Sequence, residues 1–222
     1  MLTSLRFPLT LCIFKSTMEE IIIDVENAFS ADPNIDEVGF VFEIPPEDAF
    51  GSSKSVLLID HKLGINAKHL KTLYIYALNM MKDSIQLFGS GHTAPQSSEG
   101  LGMNVLKTLL STSRIVLLIQ PNMPMALNVR KQLLVDTIRT CTNISKAMGE
   151  LEKEVLLLDI LLLKSPKSPS LWQHRKWCIS QLIMFFDARI QQKQCNLSNY
   201  VVSIGKASGY YLYSNGFQKL LS

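Results

Sequence analysis

One stretch of the 222-residue chain gathers side chains that could do chemistry: Pro166-Lys167-Ser168-Pro169-Ser170-Leu171-Trp172-Gln173-His174-Arg175-Lys176-Trp177. Lys167 stands in a turn ahead of a helix, where loop side chains meet ligands. An ammonium there can meet a phosphate oxygen as a point charge; the rival reading is a solvated turn lysine. His174 could ligate a metal, but no second His, Cys or Asp stands at ligand spacing. A zinc site within the chain is therefore not expected, and a hydrogen-bonded packing histidine is. Arg175 could grip an anion, or tie the fold by bridging carbonyls or pairing with an acid of a neighbouring unit. Phosphate-loop, nucleophile-elbow and H-E-x-x-H signatures do not occur.

A reduced copy of the stretch lies upstream, Pro121-Asn122-Met123-Pro124-Met125-Ala126-Leu127-Asn128-Val129-Arg130-Lys131. Pro121 and Pro166, Pro124 and Pro169, Arg130 and Arg175, and Lys131 and Lys176 are each 45 residues apart. A fixed period of roughly 20–50 residues marks a helical repeat. A residue held at one repeat position serves the repeat first, which favours structural roles for Arg130 and Arg175. Trp172, Ile179, Ile183 and Phe186 fall at steps of seven, four and three, so this stripe is expected to pack as core between hairpins. Trp177 lies on another face, against a preceding helix or a partner.

The elements that must position these residues follow from the pattern. Ser16-Thr17 with Glu19 and Glu20 predicts a helix start, the helix ending before Pro33. Val38–Phe42 and Ser55–Ile59 are β-prone and flank a loop with Pro45, Pro46 and Gly51, which predicts a small hairpin. Ala67–Phe88 returns to helical spacing, and Gly89–Gly102 reads as an exposed loop. Helices are then expected over Asn104–Ile119, Pro124 to about Arg139, Thr142–Leu163 and Pro169–Phe186. Proline at the first turn costs no hydrogen bond there, and Ser168 is a suitable N-cap. The expected architecture is all-α, a short α-α solenoid of helical hairpins with a small β-hairpin near the N-terminus. Residues 1–17 form an extension, 18–100 a helical region with a loop, 101–200 the repeats and 201–222 a divergent tail without strong helical periodicity.

Composition narrows the class. The chain is 47% hydrophobic and 18% charged, with a net charge of +3. No clustered basic face points to nucleic acid. Cys12, Cys141, Cys178 and Cys195 are widely spaced, which reads as free thiols in a reducing compartment. Phe7–Phe14 has only a faint likeness to a signal core. The Val155–Leu163 run is broken by Asp159 and too short for a bilayer, which takes about 20 apolar residues. A cytoplasmic protein without a transmembrane segment is expected.

The stretch from Pro166 to Trp177 resembles the P-x-N-Y-x-x-W-x-H-R-x-W repeat of protein prenyltransferase alpha subunits. Asp24-Val25-Glu26-Asn27-Ala28-Phe29, Asp32–Gly39, Lys62-Leu63-Gly64 and Asn128-Val129-Arg130-Lys131 look like one branch of that family, the alpha subunit repeat-containing proteins. The resemblance covers about Met18–Tyr200. It implies an alpha-type subunit of a protein prenyltransferase of the geranylgeranyltransferase kind, not active alone. A beta-type partner would hold the zinc and the isoprenoid, so this chain itself carries no cofactor, and the substrate would be a protein with a C-terminal cysteine. Lys167, eight residues before the repeat arginine, matches the family lysine that reaches the isoprenoid diphosphate. Pro121, Arg130, Pro166, Trp172, His174, Arg175 and Trp177 match structural repeat positions. The sequence departs from the family at Leu127, where tryptophan is usual, and at Pro124 and Pro169, where tyrosine is. Ser198-Asn199-Tyr200 resembles the start of a third repeat, but Val201-Val202-Ser203-Ile204-Gly205 follows, so a truncated array is expected. The competing function is a non-catalytic helical-repeat protein-interaction scaffold or a truncated inactive isoform.

Overall fold

A computed structural model describes residues 6–44, 55–89, 99–141 and 143–207. The described residues form six α-helices, α1 (Arg6–Ala31), α2 (Leu70–Gly89), α3 (Glu99–Ile119), α4 (Pro124–Thr140), α5 (Ile144–Lys164) and α6 (Pro169–Ala207). Three short strands lie between α1 and α2: β1 (Glu37–Val41), β2 (Val56–Ile59) and β3 (Lys62–Asn66). The chain divides into two compact units, residues 1–179 and 180–222. The first holds everything up to the opening turns of α6, and the second begins within α6.

The expected helical repeat is present. α3 and α4, then α5 and α6, are the two hairpins of the 45-residue period. Ile115, Val116, Leu117 and Leu118 on α3 are fully buried, as are Leu151, Leu158 and Leu161 on α5 and Leu171 on α6. Each such side chain contributes about 1.5–3 kcal/mol when removed from water. Caps fix where these helices begin. Asn143 opens α5 by accepting from the Ser145 and Lys146 N–H groups at 2.9 and 3.4 Å. Ser168 opens α6 by accepting from the Leu171 N–H at 3.4 Å. Pro124 and Pro169 occupy first helical positions.

Several expectations need correction. Helix α1 does not start at Ser16 but runs through it from Arg6; Met18, Ile21 and Val25 are nevertheless its buried face. Glu99–Gly102 belong to α3 rather than to the loop, of which residues 90–98 lie outside the described residues. β1 and β2 do not pair. β3 lies between them, parallel to β1 and antiparallel to β2, and the hairpin is β2–β3. Its two-residue turn, Asp60-His61, has φ of 47° and 63°, the left-handed conformation that matches the twist of paired strands. Asp is a usual residue there, but His in place of Gly disguised the turn. Helix α6 passes the expected end at Phe186 and continues through Ala207; the tail from 208 onward lies outside the described residues.

The expected core stripe is overturned as well. Trp172 is 50% exposed, Ile183 55% and Phe186 49%. The buried face of α6 is Leu171, His174 and Cys178, at steps of three and four. Periodicity locates an apolar face but not the neighbour that covers it.

Candidate functional site

Lys167 sits in the Ser165–Ser168 turn, closed by the Ser168 N–H donating to the Ser165 carbonyl at 3.1 Å. The indole N–H of Trp172 donates to the Pro166 carbonyl at 2.8 Å and pins the turn to the first turn of α6. Trp172 therefore acts as a strut rather than a core residue, and the Arg175 guanidinium lies 5.9 Å over its ring. Lys167 is exposed and makes no hydrogen bond or ion pair among the described residues. Its ammonium can thus meet an oxyanion without first breaking an internal contact. Three residues earlier, Lys164 is committed: it donates to the Leu118 carbonyl at 3.1 Å and lies 4.2 Å over the Phe40 ring. Burial pushes its pKa down, against a smaller opposing pull from Glu37. With Glu37, Val38, Ile160 and Leu163 it lines a recess of about 430 Å³.

Behind the turn, the repeat residues converge on one carboxylate that the sequence did not single out. Arg130 on α4 donates from Nε and Nη2 to Glu154 on α5 at 2.9, 3.0 and 2.5 Å. Its Nη1 donates to the Leu110 carbonyl at 3.0 Å and to Ser113 Oγ at 3.1 Å. His174 Nε2 on α6 stands 3.0 Å from Glu154 Oε1, the oxygen that also accepts from Arg130 Nε. The three side chains are only 3–4% exposed. Burial alone would raise the Glu154 pKa; the Arg130 charge and the hydrogen bonds from His174 and Arg130 outweigh it and hold it at about 2. Burial likewise opposes the Arg130 charge, and Glu154 more than offsets it, so its pKa is raised. The network locks four helices of unit 1 together. A buried charge left alone is costly, and the pairing removes that cost.

Trp177 is half-buried, stacked on His174 with centroids 5.8 Å apart. Lys131 Nζ of the preceding hairpin lies 5.1 Å over its ring. Arg175 donates from Nε to Asp159 at 2.7 Å within its own hairpin. Pro121 and Pro166 shape the two equivalent turns. The structure thus gathers Arg130 and His174 at Glu154, with Trp177 stacked beside His174, and Pro166 and Trp172 around Lys167; among the described residues no acid or base is bonded to Lys167. Glu154 was findable in the sequence: it shares the apolar face of Leu151 and Leu158 at steps of three and four, where a carboxylate needs a buried partner. Among the described residues, no three or more His, Cys, Asp or Glu side chains stand together as metal ligands would, and no helix is long and apolar enough to cross a membrane.

Comparison with known proteins gives the chain relatives. It is 31% identical over 181 residues to protein prenyltransferase alpha subunit repeat-containing protein 1 of Danio rerio, matching 82% of this chain and 34% of that protein. The protein of the same name from Homo sapiens is 29% identical over 166 residues, 75% of this chain and 35% of the relative. The Xenopus laevis protein 1-A is 29% identical over 168 residues, 75% of this chain and 32% of the relative. The chain spans about a third of the length of these curated relatives. No protein-family model matches it.

Proposed function

Starting from homology to the protein prenyltransferase alpha subunit repeat-containing proteins, we propose that this chain is an alpha-type subunit of a protein prenyltransferase complex of the geranylgeranyltransferase kind. A beta-type partner holds the isoprenoid diphosphate and the zinc, and the acceptor is the C-terminal cysteine of a protein substrate. The cysteine sulfur forms a bond to the isoprenoid carbon as the carbon–oxygen bond to diphosphate breaks, and the departing diphosphate gains negative charge. A cation fixed near that oxygen lowers the barrier by stabilising charge that develops only in the transition state. Lys167 has that role here. The observation that carries the reading is its exposed ammonium, without a partner among the described residues, on a turn braced by Trp172. On this reading the complex works in the cytoplasm.

A second reading has its own support. The Arg130–Glu154–His174 network is buried and ties helices together, which suits a helical scaffold that binds partners without taking part in transfer. Co-expression with a prenyltransferase beta subunit, pull-down and an isoprenoid-transfer assay separate the two. Complex formation with transfer that falls in Lys167→Ala supports the subunit reading. Complex formation with transfer indifferent to Lys167 leaves the scaffold, and no complex sinks the subunit reading.

A further inference from the structure

The 45-residue period allows α4 and α6 to be compared position by position. On α4, Leu127 and Arg130 are 4% exposed and Leu134 is 7%. Their counterparts on α6 are Trp172, 50% exposed, Arg175, whose side chain is 29% exposed, and Ile179, half-buried. Positions that face inward within the hairpin do not change: Ala126 and Leu171 are both fully buried.

The arginines explain the difference. Arg130 bonds in two directions, to Leu110 and Ser113 of its own hairpin and to Glu154 of the next helix. Arg175 has a partner in its own hairpin, Asp159. One period after Glu154 the sequence carries Asn199 rather than an acid. The turn is missing too. Cys141-Thr142-Asn143, where α4 ends and α5 is capped, becomes Phe186-Asp187-Ala188, and α6 runs through it unbroken.

We propose that the α6 face formed by Trp172, Arg175 and Ile179 is a half-interface for an amphipathic helix of a second polypeptide, one that sets a carboxylate against Arg175 as Glu154 is set against Arg130. The occupant is specified by continuity with the α4–α5 interface and by charge: an apolar stripe interrupted by a single acid, as in Leu151, Glu154 and Leu158 of α5. The proposal rests on the internal repeat and not on isoprenoid transfer.

The test uses the full 222-residue chain and a fluorescently labelled, solubly tagged synthetic peptide of the α5 sequence, residues 144–164, in an anisotropy titration. Saturable binding is expected, weakened on the order of tenfold or more by Arg175→Glu in the protein, the scale of losing one interfacial charge pair. A peptide carrying Glu154→Lys should recover most of that loss against the Arg175→Glu protein. Circular dichroism confirms that the variant is folded, and Trp172→Ala supplies an independent weakening of the same face. Absence of binding, binding indifferent to both Arg175 and Trp172, or sedimentation showing that a second copy of the chain already occupies the face would each overturn the proposal.

Discussion

Replacing Glu154 by Leu should be among the most damaging single substitutions in the chain. The change removes three Arg130 contacts of 2.5–3.0 Å and the His174 contact at 3.0 Å. It leaves the Arg130 guanidinium at 4% exposure with only Leu110 and Ser113 as partners. Breaking a buried pair by removing one member costs about 3–5 kcal/mol. The titration of Glu154 points the same way: Arg130 and His174 hold its pKa at about 2, below the ordinary 4.5, so the fold favours the charged form. With a urea dependence of about 2–3 kcal/mol per molar, the unfolding midpoint followed by circular dichroism should drop by roughly 1–2.5 M. The pH dependence has a definite sign. The folded pKa lies below the unfolded one, so the contribution is complete above about 4.5 and is lost as pH falls toward about 2. Pairing Glu154→Leu with Arg130→Met should restore much of the loss, because no unpaired charge remains. A Glu154→Leu midpoint within experimental error of the wild type would refute the reasoning, as would a double variant no better than the single one.

Three further outcomes follow. In the β2–β3 turn, His61 Nδ1 meets Asp32 Oδ2 at 2.7 Å; the Asp32 hydrogen bond and charge raise the His61 pKa, so this tether holds below the unfolded His61 value and is lost as pH rises through the folded one. An NMR titration should show the His61 midpoint moving down in Asp32→Ala. On the sheet, a Cβ on Gly64 would stand 3.1 and 3.3 Å from the Val41 methyls, whereas Gly39, paired beside it, faces open space; Gly39→Ala should therefore gain about 0.5 kcal/mol in urea unfolding, and Gly64→Val should lose about 1–3 kcal/mol. Burial, then the Glu154 charge, pushes the Cys178 thiol up to about 12, so mass-resolved alkylation at pH 8 should leave Cys178 unmodified until the chain is unfolded, with half-exposed Cys141 reacting before it.

What could be read from the sequence divides by the range of the interaction. Helices α2, α4 and α5 follow from apolar spacing and from Pro124, all local signals. The repeat was legible because Pro, Arg and Lys recur at one interval. The strand β3 was not: Lys62–Asn66 has five residues and a central glycine, and its strand character comes from pairing on both sides, with β1 and β2. Trp172 was misplaced for a related reason. Its stripe on α6 is apolar, yet its counterpart on α4 one period earlier, Leu127, is 4% exposed and Trp172 is 50% exposed. Glu154 was passed over amid Glu150, Glu152 and Lys153, which look like a solvated face; its coincidence with Leu151 and Leu158 on one stripe carried the information. Lys167 stands out by family position and by its place in a turn, and the fold adds the Trp172–Pro166 brace that holds that turn.

Reconstitution tests the central claim most directly. The full chain is co-purified with a prenyltransferase beta subunit, and transfer of a labelled isoprenoid from its diphosphate to a protein ending in a cysteine motif is measured for the wild type and Lys167→Ala. A stable complex is predicted, with kcat reduced on the order of tenfold or more in Lys167→Ala and urea stability unchanged within about 0.5 kcal/mol. Failure to form a complex, or equal transfer by both proteins, would contradict the account.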